Sequence, residues 1–417
     1  MARVLLTCWG SFGDLFPSIA VADRLRARGH EPILATCPFY REILEREGLT
    51  FRPVGPDVTP DDMVLLGRLM DPRRGTEVLV RELLMPALDA SYADLDAAAS
   101  DVDLVVSHPV TFAAPLVADR RRLPWLSSVL APMSFFSPTD FPALPNLPAA
   151  VGLRHLGAWT GRLLGALSRK ATAGWMAPVA ALRQRLGLPA AGHPLFEGQF
   201  SPLGTLALFS RVLGSPQPDW PPHTDVTGFP FFNRAIAMPP VVRAFLDAGP
   251  PPVVFTLGSS AVHAAGGFFE ESVRAARQLG MRALLLAGRA AAEARSMPDG
   301  MLAVESAPHD QVFPHAAVIV HQGGVGTTGQ ALRSGRPQLV VPHAHDQFDN
   351  AVRVERAGAG TVLYATRYRA DRAAMAIGTL TSDAACAARA EAVGAEVRGE
   401  GGADRAAECI AAALARV

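Results

Sequence analysis

Apolar runs alternate with segments of helical period through the first 130 residues. Fully apolar runs predict buried strands, and the mixed segments between them predict helices. The predicted elements are, in order, a strand at 3–8 (RVLLTC), a helix at 15–28, a strand at 31–36 (EPILAT), a helix at 39–47, a strand at 103–107 (DLVVS), a helix at 109–120 and a strand at 124–130 (PWLSSVL). Strands that are apolar on both faces are typical of a parallel sheet covered by helices on both sides. The pattern therefore predicts a doubly wound α/β domain.

A second series of apolar runs begins at residue 252. Its members are PVVFTLG, ALLLAG, MLAVES, AAVIVHQGG, PQLVVP and GTVLYA. The Pro- and Gly-rich segment 214–240 separates the two series and suits a connector, so we place the domains at 1–230 and 231–417. The Ala-rich end of the chain predicts two or three helices, which are candidates for packing back onto the first domain. The sequence thus predicts two Rossmann-like α/β domains facing a cleft, with ligands beyond the carboxyl ends of the strands.

Composition narrows the class of protein. The chain has 417 residues, of which 49% are hydrophobic, and this content excludes a disordered chain. Its 39 basic and 39 acidic residues balance, so no overall field favours nucleic acid. We find neither a signal peptide nor an apolar run of about 18 residues. These features predict a cytoplasmic protein with at most peripheral membrane contact, and they leave its oligomeric state open.

The strongest candidate for chemistry is the loop HQGGVGTT at 321–328, which follows an apolar strand and precedes a helix. Glycines let a phosphate approach the backbone, the amides and dipole of a helix start favour negative charge, and Thr327 adds a hydroxyl. The loop lacks the GK[ST] of a Walker motif, and it does not follow the first strand as a dinucleotide-binding GxGxxG would. The alternative is a turn whose glycines serve packing alone.

A second polar cluster, PHAHDQFDN at 342–350, follows the next strand. Asp346 and Gln347 supply the acceptors and the donor that are needed to bind neighbouring sugar hydroxyls. A metal site made by His343, His345 and Asp346 is one alternative, and a cap of the following helix is another.

The opening loop WGSFGD at 9–14 ends the first strand and places Asp14 where a general base would lie, although an aspartate there also caps a helix well. Ser259 occupies the matching position after the first strand of the second series and is a candidate phosphate ligand. His108 follows the strand at 103–107 and either lines an acceptor site, orients the base or is a core histidine.

The residues that are candidates for binding the acceptor have a less distinctive sequence. Residues 131–152 form an apolar, Pro-rich loop, and 153–185 predict helices with apolar residues suited to a lipophilic acceptor, namely Trp159, Leu163, Leu164, Leu167, Trp175 and Met176. Basic residues interleave with them, so an amphipathic helix at a membrane surface is the alternative to a solvated face over an acceptor lid.

The segment 306–350 resembles the donor-binding signature of family 1 nucleotide-sugar glycosyltransferases, which have the GT-B fold. The matching motifs are Pro308-His309, HQGGVGTT, Ala331-Leu332, Gly335-x-Pro337 and Asp346-Gln347 with Asn350. The start GSFGDLFP, followed by RGHEPILAT, is similar to the acceptor domain of the bacterial and sterol-type branch. Four further segments, MDPRRG, QPDWPPHTDVTGFP, VFTLGS and AHDQFDNA, resemble the rhamnosyltransferases of rhamnolipid synthesis.

The resemblance implies roles for individual residues. Asp14, with His108, would act in catalysis, and Phe12 and Phe135 would contact the acceptor. The implied donor site consists of Ser259, His309, His321, Gln322, Gly324, Gly326, Thr327, Gln330, His345, Asp346 and Gln347. Either His321 or Gln322 would contact the diphosphate, and Gln330 stands where many members have a glutamate that binds ribose. Ser306 stands where plant members have a tryptophan that stacks on uracil. Without that tryptophan, specificity for uridine loses support, and a thymidine diphosphate donor remains open.

The implied activity is an inverting transfer of glucose or rhamnose from a UDP- or dTDP-sugar to a hydroxyl of a lipophilic acceptor. The acceptor would be a phenolic or flavonoid natural product or a hydroxy-lipid, and no cofactor or metal would be required. A nucleotide-sugar epimerase and a non-catalytic nucleotide-sugar-binding protein are the alternatives.

Overall fold

A computed structural model describes residues 1–59, 61–145, 152, 155–232, 236–262, 265–288 and 297–416, apart from the side chains of residues 259 and 260. Contacts divide the chain into two compact units. Unit 1 comprises Met1–Leu69, Arg73–Phe232 and Gly401–Val417, and unit 2 comprises Met70–Pro72 and Asn233–Glu400.

Unit 1 is built on a parallel sheet that has seven strands within the described residues. The strands are β1 (Arg3–Thr7), β2 (Glu31–Thr36), β3 (Thr50–Pro53), β4 (Leu104–Ser107), β5 (Trp125–Val129), β6 (Thr205–Ala207) and β7 (Thr224–Val226). Their order in the sheet is β3-β2-β1-β4-β5-β6-β7, which is the doubly wound arrangement. Because the order reverses between β1 and β4, the loops that follow these two strands leave the same edge of the sheet side by side.

Helices cover this sheet. They are α1 (Phe12–Ala27), α2 (Arg41–Arg46), α3 (Met63–Leu69), α4 (Gly75–Glu77), the π-helix Val78–Leu84, α5 (Leu88–Ala98), α6 (Ala113–Arg121), α7 (Ala158–Thr172) and α8 (Ala177–Arg185), with 3-10 turns at Pro38–Tyr40, Pro132–Phe135 and Glu197–Gln199. The last helix of the chain, α17 (Gly402–Leu414), also belongs to unit 1. It packs on α1, where Arg28 pairs with Asp404, and Gly402 lies so close to the backbone of Phe229 that a Cβ would overlap it.

Unit 2 contains a second parallel sheet, with six strands in the part of the chain that is described. They are β8 (Val253–Thr256), β9 (Ala283–Leu286), β10 (Met301–Val304), β11 (Val318–His321), β12 (Gln338–Val340) and β13 (Gly360–Val362). The order β10-β9-β8-β11-β12-β13 repeats the arrangement of unit 1. The loops after β8, β11 and β12 are therefore neighbours, since these three strands are adjacent.

The helices of unit 2 pack on both faces of its sheet. They are α9 (Pro240–Asp247), α10 (Gly258–Ala261), α11 (Phe268–Gln278), α12 (His309–Val312), α13 (Val325–Ser334), α14 (Gln347–Arg356), α15 (Ala370–Ser382) and α16 (Ala384–Gly399), with 3-10 turns at Phe313–His315 and Ala365–Arg367. One buried cluster, which includes Phe255 and Leu339, lies on one side of the strands, and another, which includes Val254 and Phe313, lies on the other. The predicted class of two parallel α/β domains is confirmed.

Three strands of unit 1 differ from the expectation. The sequence predicts none of β3, β6 and β7, and β7 lies inside the segment 214–240 that we interpreted as a connector. β3 has four residues, β6 and β7 have three each, and β7 is surrounded by prolines. A run of this length carries no periodicity that distinguishes a strand from a loop.

No helix in the described ranges is long and apolar enough to cross a membrane.

Candidate active site

The loop between β1 and α1 holds Asp14 by two hydrogen bonds. Oδ2 of Asp14 accepts from the backbone N–H of Ser11 at 2.7 Å and from its hydroxyl at 3.1 Å. The Ser11 hydroxyl in turn accepts from Gly13 N–H at 3.1 Å, which completes a capping box at the start of α1. Gly10, at φ +142°, lies against the carboxylate, and a Cβ there would overlap Oδ2. Asp14 thus caps the helix through one oxygen, while its other oxygen remains available.

That second oxygen faces His108. Oδ1 of Asp14 lies 3.3 Å from Nε2 of His108, whose side chain is 6% exposed. The ring nitrogen and the carboxylate are close but not aligned as a hydrogen bond. The backbone N–H of His108 donates to the hydroxyls of Thr7 and Thr111 at 3.1 and 3.0 Å, which fixes the position of the residue. A long contact of 3.5 Å from Val110 N–H to Nδ1 favours the tautomer with its proton on Nε2, beside Asp14.

A cavity of about 730 Å³ adjoins His108 on one side. It lies between the start of α6 and a second wall made by α8 with the chain that follows it, and all of its lining residues belong to unit 1. Met176, one of the apolar residues predicted for the acceptor side, lines it. Trp159, Leu163 and Leu167 do not, because they lie on the exposed face of α7 with more than half of their surface accessible. A pocket of this volume is large enough for a drug-sized ligand.

In unit 2 two adjacent polar residues at the end of β11, His321 and Gln322, lie in different surroundings. His321 is fully buried, and both of its ring nitrogens are bonded. Nδ1 accepts from Gly323 N–H at 3.1 Å, so Nε2 carries the proton and donates to Oε1 of Gln338 on β12 at 2.9 Å. Burial lowers the pKa of His321 to about 4, which keeps the ring neutral. Neither nitrogen remains free for a ligand.

Gln322 differs from its neighbour. It is 5% exposed, and its buried Oε1 has no hydrogen-bond partner among the residues that the structure describes. Its amide lies against two glycines, since a Cβ on Gly258 would overlap Nε2 and a Cβ on Gly324 would lie 2.7 Å from it. The hydroxyl of Thr327 would be 3.2 Å from the same Cβ of Gly258. Gly258, Gln322, Gly324 and Thr327 therefore lie close together at the start of α13, and we call this group the cradle.

The start of α13 is open to an anion. Its N-cap is Gly324, which has no side chain to bond the first amides of the helix. Those amides and the helix dipole favour a negative group, and a ten-residue helix is long enough to present both. The cradle therefore has the chemistry of a phosphate site.

The loop after β12 is tied to the loop after β11. Nδ2 of Asn350 donates to the carbonyl of Gly323 at 2.9 Å and to Oδ2 of Asp346 at 2.8 Å. Oε1 of Gln347 accepts from the backbone of His343 and Ala344 at 2.9 and 3.0 Å. Gln347 thus uses its carbonyl to brace the loop, which leaves its amide group as the part that can donate to a ligand.

Comparison with known proteins identifies the family. Residues 4–117 match the N-terminal domain of glycosyltransferase family 28, and residues 281–412 match the C-terminal domain of erythromycin biosynthesis protein CIII-like proteins. The chain is 33% identical to O-mycaminosyltylonolide 6-deoxyallosyltransferase of Streptomyces fradiae, over 97% of this chain and 96% of that protein. The chain belongs to the family 1 GT-B glycosyltransferases of the erythromycin CIII-like type.

A second relative agrees with this identification, and a solved structure has the same fold. The glycosyltransferase is 30% identical to glycosyltransferase GtfE of Amycolatopsis orientalis, over 86% of this chain and 85% of that one. The crystal structure of glycosyltransferase VinC in complex with dTDP superposes with a TM-score of 0.70 at 23% identity and covers all of both chains. The narrower resemblance to rhamnolipid-forming enzymes stays a prediction.

The remaining predicted residues of the glycosyltransferase lie in varied surroundings. Phe12 is half-buried beside the Asp14 loop, where it stacks on Phe16 and makes a tilted contact with Tyr40. Phe135 is buried against Trp220, at 4.1 Å between ring centroids, and the described cavity does not include it. Ser259 belongs to α10, but its side chain lies outside the described residues.

Three donor candidates lie on or near α12 and α13, and one follows β12. His309 stacks on Phe313 at 4.4 Å, and burial lowers its pKa to about 4. Gly326 is in the first turn of α13, and Gln330, further along that helix, has a buried Oε1 without a partner. His345 is half-buried in a left-handed conformation at φ +54°. In the described ranges no group of three His, Cys, Asp or Glu side chains forms a metal site, so the alternative of His343, His345 and Asp346 gains no support.

Sequence reasoning missed Gly258, Gln338 and the bracing role of Asn350. Gly258 lies two residues after the end of β8, and that position was the available signal, because β8 and β11 are adjacent and the residues after both strands meet.

Proposed function

We propose that this glycosyltransferase moves a deoxysugar from a nucleoside diphosphate sugar to a hydroxyl of a lipophilic natural product, with inversion at the anomeric carbon. The observation that carries the proposal is the cradle, in which the Gln322 side chain lies beside the open start of α13 and its buried carbonyl has no hydrogen-bond partner among the described residues. The similarity to a 6-deoxyallosyltransferase and to a dTDP-bound glycosyltransferase supports a deoxysugar carried by thymidine diphosphate.

The reaction follows from the two sites. The acceptor oxygen forms a bond to the anomeric carbon as the bond from that carbon to the phosphate oxygen breaks, and the nucleoside diphosphate leaves with the electron pair. Asp14 takes the proton of the acceptor hydroxyl through Oδ1, while Ser11 holds Oδ2. His108, with Nε2 at 3.3 Å, orients the carboxylate and stabilises its charge before the transfer.

The leaving group is stabilised in unit 2. The amides at the start of α13, the hydroxyl of Thr327 and the Gln322 amide would donate to the diphosphate, whose charge grows as the sugar departs. Asp346 and the Gln347 amide would bind the sugar hydroxyls. We propose that this set of donors replaces a divalent metal ion.

Incubation with dTDP-rhamnose or UDP-glucose, each with and without a hydroxylated acceptor, tests the activity. Mass spectrometry is expected to detect nucleotide release together with a glycosylated acceptor, and kcat/KM for dTDP-rhamnose is expected to equal or exceed that for UDP-glucose. Conversion of the donor without an acceptor would favour an epimerase, and binding without reaction would favour a non-catalytic binder. A clear preference for UDP-glucose would contradict the donor assignment.

Metal independence is tested by calorimetry of dTDP binding. The dissociation constant is expected to be the same in EDTA as in millimolar Mg²⁺, because the donors named above are all protein groups. Binding that disappears with the chelator would overturn this part of the proposal.

Replacing Gln322 with alanine removes the side chain that lies in the cradle. We expect the dissociation constant of dTDP to rise about 10- to 100-fold, which corresponds to the loss of one hydrogen bond to a charged group. Gly324→Ala should have a similar effect, since its Cβ would displace Gln322 at a backbone φ of −59° that alanine adopts without strain.

The control is Gln278→Ala, which replaces an exposed glutamine at the end of α11. The affinity of this variant for dTDP should equal that of the wild type. Wild-type affinity in Gln322→Ala as well would mean that backbone amides bind the diphosphate without side-chain help.

A further inference from the structure

Tyr40 lies in the turn after β2 and contacts the loop after β1. The two strands are parallel neighbours, with Thr7 opposite Ala35 at their ends, so the chain leaves both at the same edge of the sheet. The hydroxyl of Tyr40 donates to the carbonyl of Gly10 at 2.7 Å, and its side chain is buried. Burial raises the pKa of Tyr40, so the phenol keeps the proton of this bond at neutral pH.

The carbonyl that accepts from Tyr40 belongs to the same peptide group as the N–H that bonds Asp14. This group joins Gly10 to Ser11, and the Ser11 N–H donates to Oδ2 of Asp14 at 2.7 Å. Because a peptide group is planar, a bond that fixes its carbonyl also fixes the direction of its N–H. A hydrogen bond to the carbonyl also polarises the peptide, which strengthens the bond from its N–H to the carboxylate.

The chain at residue 10 does not by itself fix this peptide group. Gly10 has a φ of +142°, and glycine has more backbone freedom than other residues. A larger residue has no room there, because a Cβ would overlap Oδ2 of Asp14. Bonds from neighbouring loops therefore restrain the peptide. Tyr40 supplies the bond at residue 10, and Trp9 is anchored by its Nε1, which donates to the carbonyl of Pro56 after β3 at 2.8 Å.

The ring and the hydroxyl of Tyr40 have separate contacts. The ring packs against Phe12 and Phe39, with centroids 5.4 and 5.1 Å away. The hydroxyl bonds the peptide group. Phenylalanine would keep the ring contacts and lose the bond, so one substitution separates packing from positioning.

We propose that Tyr40 is a positioning residue for the base. Through the peptide group between Gly10 and Ser11, its hydroxyl holds Oδ2 of Asp14 and thereby keeps Oδ1 directed to the acceptor hydroxyl. This inference rests on the proposed function, in which Asp14 takes the acceptor proton.

Tyr40→Phe tests the inference with dTDP-rhamnose and an aliphatic alcohol that the wild type glycosylates. We expect kcat to fall about 3- to 10-fold, the size of one hydrogen bond that no longer supports the base. The KM of the alcohol and the dissociation constant of dTDP should stay at their wild-type values, because the ring contacts remain. A wild-type kcat in Tyr40→Phe would overturn the inference.

The matched control is Tyr368→Phe in unit 2. Tyr368 is also buried, and its hydroxyl lies 2.8 Å from the hydroxyl of Ser272, so the control removes the same kind of atom from the same kind of bond. Thermal unfolding should show a comparable loss of stability in the two variants, whereas kcat should fall in Tyr40→Phe alone. An equal fall of kcat in both would assign the effect to lost stability and refute the positioning role.

A double-mutant cycle shows whether Tyr40 acts through the carboxylate. In the Asp14→Asn protein the base is absent, so adding Tyr40→Phe should change the residual kcat by less than about 2-fold. A residue that only supports the fold would lower kcat by the same factor with and without the carboxylate. Effects that multiply would therefore contradict the inference.

Unfolding in urea tests the contact without any substrate. Tryptophan fluorescence follows unit 1, which contains all five tryptophans. Tyr40→Phe should lower the urea midpoint of the wild type, and it should lower that of Asp14→Ala by less, because the peptide N–H then has no carboxylate to bond. Equal decreases would show that Tyr40 does not act on Asp14. If the wild type transfers no sugar from dTDP-rhamnose or UDP-glucose, the proposed function fails, and the urea midpoints still decide whether Tyr40 holds the carboxylate.

Discussion

Replacing Asp14 with asparagine is expected to reduce kcat by about 10²-fold or more, which is the usual contribution of a general base. Asparagine has the size of aspartate and caps helices nearly as well, so the loop and the start of α1 should persist. It cannot take up the acceptor proton. Because an alcohol is a very weak acid, we expect transfer of its proton to accompany formation of the bond to the anomeric carbon, when the hydroxyl becomes acidic.

The structure supplies a control, because the two oxygens of Asp14 have different roles: Oδ2 bonds Ser11 in the helix cap, and Oδ1 is the proposed base. Ser11→Ala removes the capping hydroxyl and should lower the stability of the protein by about 1 kcal/mol while leaving the carboxylate in place. Thermal unfolding should therefore change at least as much in Ser11→Ala as in Asp14→Asn, whereas kcat should fall far more in the latter. Affinity for dTDP should be unaltered in both.

Near-normal kcat of Asp14→Asn with an aliphatic alcohol would contradict this assignment. Asp14 would then be a helix cap alone, and His108 would be the first residue to consider as the base.

The pairing of Asp14 with His108 illustrates what the sequence can predict. Each residue follows an apolar strand, and both strands were evident from the hydrophobic pattern. That the two residues lie 3.3 Å apart depends on β1 and β4 being neighbours in the sheet. The sheet order is a property of the doubly wound fold, so recognising the fold brings the two loops together, although the distance itself requires the side-chain packing.

The choice between His321 and Gln322 could not be made from the sequence. The two residues are adjacent in one loop, and both side chains can bind a phosphate. The decision depends on Gln338, 17 residues further along, which lies on β12 and accepts the proton of His321. Such a long-range contact has no signature in local composition. It holds the His321 side chain in the core, whereas the Gln322 side chain belongs to the cradle.

The cavity was anticipated only in part, for a related reason. The sequence directed attention to six large apolar residues in the segment 153–185, because large apolar residues are the usual mark of a pocket or a core, and of these six only Met176 lines the cavity. The structure leaves Trp159, Leu163 and Leu167 exposed and forms the cavity along α8, where Ala177 and Ala180 leave space. Small residues that create a void give no hydrophobic signal of their own.

The interior position of His321 has a consequence for acid stability. Its pKa is lowered from 6.5 to about 4 because burial disfavours the charged ring. Between these two values the unfolded chain binds a proton that the folded protein does not, so the free energy of unfolding falls as the pH falls. The full contribution of His321 to the free energy of unfolding is present above pH 6.5. About 3 kcal/mol of this free energy is expected to be lost on acidification to pH 4. His309, whose pKa is also lowered to about 4, acts in the same direction.

Urea unfolding between pH 7.5 and 4.5, followed by far-ultraviolet circular dichroism, tests this expectation. His321→Gln should be less stable than the wild type at pH 7.5, because the buried hydrogen bond to Gln338 is disturbed, but its stability should depend less on pH. All five tryptophans, at positions 9, 125, 159, 175 and 220, belong to unit 1, so their fluorescence follows that unit separately.

The matched control is His155→Gln, which replaces an exposed histidine of unit 1 and should retain the pH dependence of the wild type. An equally steep loss of stability in His321→Gln and in the wild type would contradict the assignment of acid sensitivity to this ring. In that case His309 and the carboxylates, which also titrate in this range, would have to account for the loss. A flatter profile in His321→Gln alone would confirm that His321 is a neutral core residue, and it would leave Gln322 as the side chain of this loop that is free to contact the diphosphate.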